Sequence, residues 1–99
     1  MELSIVEENG TAIFFVEGQL DTTTSGDFEE SLKPYLANPA KLVLDFKGLD
    51  YLSSAGLRVI LRAQQTFEAQ DVSLVIRNCN AEVMEVFEIT GFTDFLTFE

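Results

Sequence analysis

An opening hairpin followed by helices and strands in alternation predicts an α/β fold, a mixed β-sheet with covering helices in the order ββαβαβαβ. Three observations carry this expectation. Asn9-Gly10 separates two strand-like runs, three segments repeat their apolar residues at helical spacing, and two short apolar runs, KLVLDF and VSLVIRN, lie between those segments.

The first strands hold Leu3 and Ile5, then Ala12 to Val16. Asn9-Gly10 suits a tight type I′ turn because both central residues need positive φ. The first helix is expected over 24–36, with Phe28, Leu32, Tyr35 and Leu36 on its apolar side, a variant capping box at Thr24 and Asp27, and Pro34 and Pro39 ending it. KLVLDF (41–46) reads as a strand buried on both faces, and residues 47–52 as the turn after it. Leu57, Ile60 and Leu61 mark the inner side of the second helix, with Arg58, Arg62 and Gln65 towards the other. VSLVIRN (72–78) is a second inner strand. Asn80 then caps a third helix carrying Val83, Met84 and Phe87, with Gly91 as its C′ residue. A last strand is expected over 95–98.

With 99 residues, a single domain over 1–99 around one core is expected. Seventeen acidic residues against six basic ones, a formal charge of −11 and no histidine argue against nucleic acid or an anionic membrane as partner. A partner surface should be at least partly basic. The lone Cys79 excludes an internal disulfide and a zinc site of the usual kinds, which suits the reducing cytoplasm. The N-terminal MELSIVEENG has no signal-peptide character, and no membrane span is expected. Phe92, Phe95 and Phe98 would leave an apolar patch if uncovered, and a homodimer through that face is one way to cover it. Cys79 is expected to be packed rather than reactive.

Conventional catalysis is hard to assemble. A serine or cysteine nucleophile lacks a histidine base, Leu52 stands where a nucleophile elbow needs glycine, and no phosphate-binding glycine loop is present. No catalytic residue, cofactor or metal site is predicted; a Ser54 hydrolase with a lysine base is the weakest alternative. Asp45 and Asp50 are expected to be solvated loop charges. Ser53 and Ser54 differ because one of them falls at the N-cap of the second helix. There the free amides and the helix dipole favour an anion. A phosphoryl group would meet the amides of Ala55, Gly56 and Leu57, with Gly56 leaving room for it or, equally, allowing close packing on the sheet. The competing explanation is that the serine merely caps.

DYLSSAGLRVIL (50–61), together with EGQLDTTTSGDFEESL (17–32), resembles the STAS domain family and, within it, the small bacterial anti-sigma factor antagonists. The resemblance spans nearly the whole chain. Gly18, Leu20 and Asp21 match the family's Gly-x-Leu-Asp stretch, and Ser54, Ala55, Gly56 and Leu57 match its Ser-[Ser/Thr/Ala]-Gly-Leu stretch. It implies a STAS-like sheet and a cytoplasmic bacterial regulator. It further implies that Ser54 is the hydroxyl phosphorylated by an anti-sigma factor that is itself a serine kinase, with a serine phosphatase reversing the modification. Unphosphorylated, such a protein binds the kinase and releases a sigma factor; phosphorylation switches it off. Asp21 would sit near Ser54. The implied partner face comprises Asp21, Ser53, Ser54, Ala55, Gly56, Leu57, Arg58 and Arg62. Two positions depart from the pattern: Ser53 stands where phosphorylated members usually carry aspartate, and Arg58 where glycine is common. A constitutive STAS module in a signalling scaffold or a lipid transport complex, with Ser54 only a cap, is the main alternative.

Overall fold

The computed structural model describes residues 1–35 and 40–99. Its strands are β1 (Glu2–Glu8), β2 (Thr11–Leu20), β3 (Lys41–Asp45), β4 (Leu49–Leu52), β5 (Ser73–Arg77) and β6 (Thr97–Phe98). Its helices are α1 (Ser25–Leu32), α2 (Ser54–Ala69) and α3 (Ala81–Ile89), with 3₁₀ turns at Lys33–Tyr35 and Phe92–Asp94. The α/β class and the mixed sheet are as expected, with one short strand, β4, added between β3 and α2.

Asn9 and Gly10 adopt φ of 49° and 81°, the pair of positive angles a type I′ turn requires, and Glu8 pairs with Thr11 across it. β2 then pairs in parallel with β3, β3 with β5, and β5 with β6, giving the order β1-β2-β3-β5-β6. Each crossover steps to the next strand in the same direction. Crossovers of one hand running one way put every helix on one face of the sheet. The core shows this directly: it takes Phe14, Val16, Leu42, Leu44, Leu74 and Ile76 from one face of the strands, with Phe28, Ile60, Phe67, Val83 and Phe87 from the helices. Ile13, Phe15, Val43 and Val75 lie on the opposite, helix-free face and outside that cluster.

α1 starts where its sequence suggests, at Ser25 behind Thr24 as N-cap, but its capping bonds differ. The reciprocal cap is formed one turn earlier, where Asp21 Oδ1 accepts from the amides of Thr23 (3.0 Å) and Thr24 (3.1 Å) while Thr24 Oγ1 accepts from the Asp21 amide (2.9 Å). Asp27 is exposed and Thr24 makes no forward cap, so the expected box at Thr24 and Asp27 does not form. The α-helix stops at Leu32 because Pro34 has no N–H to continue it, and the chain tightens into the 3₁₀ turn. Leu36 and Pro39 lie outside the described residues.

Residues 47–52 are more than a turn. Leu49 and Leu52 are buried while Asp50 and Tyr51 are exposed, and β4 pairs with the far end of β2 past a bulge at Gly18, whose φ is 92°. Asn80 caps α3 as expected, accepting from the Val83 amide at 2.8 Å, and also donates to the Leu49 carbonyl at 2.8 Å. Gly91 follows α3 at φ 80°. The last strand is shorter than expected, and the Phe patch is smaller: Phe92 and Phe98 pack against the core, leaving Phe95 exposed.

Candidate functional site

The end of β2 and the start of α2 are fastened together. The Ser53 amide donates to the Leu20 carbonyl at 2.9 Å, which places the Asp21 loop beside the first turn of α2. Ser53 has extended backbone angles (φ −92°, ψ 171°), and its Oγ accepts from the Gly56 amide at 3.3 Å. It is therefore the N-cap. Ser54 is the first helical residue and is exposed, and its hydroxyl has no side-chain hydrogen bond among the described residues. The two serines thus divide the roles that the sequence leaves open between them.

Capping changes the expected anion site. The Leu57 amide is taken by the Ser53 carbonyl at 3.0 Å and the Gly56 amide by Ser53 Oγ. Of the three amides expected to receive a phosphoryl group, Ala55's alone has no partner among the described residues. Gly56 is buried, and a Cβ there would lie 2.8 Å from Leu20 Cγ, 2.8 Å from Leu52 Cδ1 and 3.0 Å from the Leu20 carbonyl oxygen. Its glycine serves close packing of α2 on β2 and β4, not space for a ligand. Leu57 is buried too, so Gly56 and Leu57 shape the face from beneath and present no side chain to a partner.

Arg58 and Arg62 are both exposed, one turn apart, but they differ in company. Arg62 grips Glu29 of α1 through Nε (2.8 Å) and Nη2 (3.1 Å), and the hydrogen bond from Arg62 holds the Glu29 carboxyl below its ordinary pKa. Arg58 has no ion pair among the described residues. Of the two arginines expected on the partner face, one is thus a free cation among the described residues and the other a tie between α1 and α2. Tyr51 was not anticipated. It is 52% exposed on β4, three residues before Ser54, and was hidden because two inward leucines three apart show no strand alternation.

Asp45 is also not the solvated charge expected. It is 4% exposed at the end of β3, where its carboxylate accepts from Arg77 Nε (2.9 Å), Asn78 Nδ2 (3.0 Å) and the Lys47 amide (3.0 Å). Burial pushes its pKa up. The three donors outweigh burial and hold it below the ordinary value. Every acceptor is directed inward to the fold, which makes this a structural lock. Asp50 is exposed as expected. Burial pushes the Cys79 thiol up to about 11, as suits a packed cysteine. No metal-binding cluster occurs among the described residues, and no helix is long and apolar enough to cross a membrane.

An exposed serine at the start of a helix is thus fixed on a small α/β scaffold, with one arginine free among the described residues one turn on. The STAS domain family model matches residues 2–99, and the chain belongs to that family. It is 33% identical over 93 residues to BtrV of Bordetella bronchiseptica, a proposed anti-sigma factor antagonist, with 93% of this chain and 80% of that protein aligned. The fold is shared with the anti-sigma factor antagonist SpoIIAA in its unphosphorylated form (TM-score 0.85, 16% identity, 99% of this chain and 88% of that one). It is shared also with the Bacillus cell fate determinant SpoIIAA in the phosphorylated form (TM-score 0.78, 15% identity, 99% and 91%).

Proposed function

We propose that this protein is an anti-sigma factor antagonist, a cytoplasmic binding protein rather than an enzyme, that engages a serine-kinase anti-sigma factor and frees a sigma factor. Phosphorylation of Ser54 switches it off and a serine phosphatase restores it. The observation that carries this reading is the division of labour at α2: Ser53 caps the helix, so the Ser54 hydroxyl is left exposed and uncommitted. A serine needed only as a cap would not require the second. The likeness to antagonists, one with its fold known in a phosphorylated form, supports the same reading.

The partner face consists of Tyr51, Ser54, Ala55 and Arg58, bordered by the Asp21 loop, with Ser53, Gly56 and Leu57 as its support and Arg62 bracing α2 against α1. Tyr51 supplies the aromatic anchor such faces favour. The test is incubation with a kinase-type anti-sigma factor and ATP, followed by mass spectrometric mapping. The expected phosphate is on Ser54, and Ser54→Ala remains unmodified while still binding. Phosphate on Ser53 contradicts the assignment of the hydroxyl, and tight binding without modification of either serine points to the constitutive module.

A further inference from the structure

Resting on Ser54 as the phosphorylated hydroxyl, we propose that Arg58 is the intramolecular counter-ion of that phosphate, so that modification both adds negative charge to the partner face and withdraws its uncommitted guanidinium. Ser54 and Arg58 are four apart on α2 and both exposed. Residues at that spacing share a helix face with Cβ atoms about 5–6 Å apart, and helical side chains lean towards the N-terminus, so the Arg58 stem leads back towards Ser54. An anion N-terminal to its cation is the favourable order for such a pair.

Three features of the structure favour Arg58 for this role. Of the three arginines, Arg62 is held by Glu29 and Arg77 by Asp45, while Arg58 has no carboxylate partner among the described residues despite seventeen acidic side chains in the chain. The helix start is itself a poor receptor, since Ser53 already occupies the Gly56 and Leu57 amides. A phosphate on Ser54 therefore needs a donor from a side chain, and Arg58 is the cation on its own helix face one turn away. In the unmodified protein the same guanidinium is free to meet an acidic group on the partner. Once phosphate is present, Arg58 folds back on it and the partner loses that contact.

The experiment needs no kinase at its first stage. Phosphoserine is installed at position 54 during translation in the wild type, in Arg58→Gln and in Arg62→Gln, and the second phosphate ionisation is followed by ³¹P NMR, with thermal melts confirming that all three fold. The expected result is an ionisation about 0.3 pH unit lower with Arg58 present than in Arg58→Gln, a twofold effect of the size such helix pairs give, with Arg62→Gln like wild type. Equal values in all three overturn the pairing. At the second stage, Arg58→Gln weakens binding of the unmodified protein to the kinase-type anti-sigma factor and leaves that of the phosphorylated protein unchanged. Equal losses in both states overturn the withdrawal. A normal ³¹P shift with no kinase recognition in any form removes the proposed function and leaves the pairing standing.

Discussion

Ser53 and Ser54 carry the same hydroxyl one position apart, and the start of α2 gives them opposite sensitivities. Removing the Ser53 cap by Ser53→Ala is expected to cost about 0.5–1 kcal/mol, the low end for a cap because the bond to the Gly56 amide is 3.3 Å. Ser54→Ala removes a hydroxyl without a side-chain partner and should stay within about 0.5 kcal/mol of wild type. Urea unfolding of the two variants side by side checks both. Asp45 is the residue whose loss should be felt most. Asp45→Ala leaves Arg77 without its carboxylate and should cost about 2–3 kcal/mol, short of a fully buried pair because Arg77 keeps 31% of its side-chain surface exposed. Its pKa is lower in the folded than in the unfolded chain, so between those values the unfolded state binds more protons. The stabilisation is therefore complete above the ordinary value of 3.8 and is lost as pH falls through the folded value. Unfolding measured from pH 7 to pH 2 should show this loss in the wild type and a shallower one in Asp45→Asn.

Gly56 decides how closely α2 can approach the sheet. Replacing glycine by alanine inside a helix ordinarily gains about 1 kcal/mol. Here the new methyl meets Leu20 and Leu52 carbons at 2.8 Å and backbone oxygen at 3.0 Å, and such overpacking costs about 1–3 kcal/mol. The backbone contact cannot swing aside, so Gly56→Ala should be destabilised by about 1 kcal/mol net, read from the urea midpoint. Elements were legible where a local signal is self-sufficient. Asn9-Gly10 dictates its own turn, Asn80 its own cap, and the apolar spacing of Leu57 and Ile60 their burial. What stayed hidden depends on neighbours distant in sequence. β4 has no alternation of its own and exists because the end of β2 offers a parallel edge past the Gly18 bulge. The cap ahead of α1 has other partners than its sequence suggests, because Asp21 and Thr24 satisfy each other one turn before the Thr24 and Asp27 pair. At the site, the serine pair and Arg58 could be named from sequence, but which serine caps, and that Arg62 is tied to Glu29 thirty-three positions away, required the fold.

For the molecule as a whole, a formal charge of −11 combined with helices on a single face leaves a strongly acidic body from which α2 presents one free arginine. A partner with a basic surface should associate faster at low salt, and the association rate should fall as ionic strength rises. A phosphate on Ser54 adds about −1.5 to −2 charges to this face, and the fold should tolerate it because the hydroxyl is exposed and at the positive end of a helix. On the proposed function, affinity rather than stability should change. The most direct measurement is calorimetric titration of a kinase-type anti-sigma factor, with nucleotide bound, by the unmodified and the Ser54-phosphorylated protein, alongside thermal melts of each. The account predicts near-identical melting temperatures and an affinity at least about a hundredfold weaker for the phosphorylated form, a difference of about 2.7 kcal/mol. Equal affinities for the two forms would contradict it.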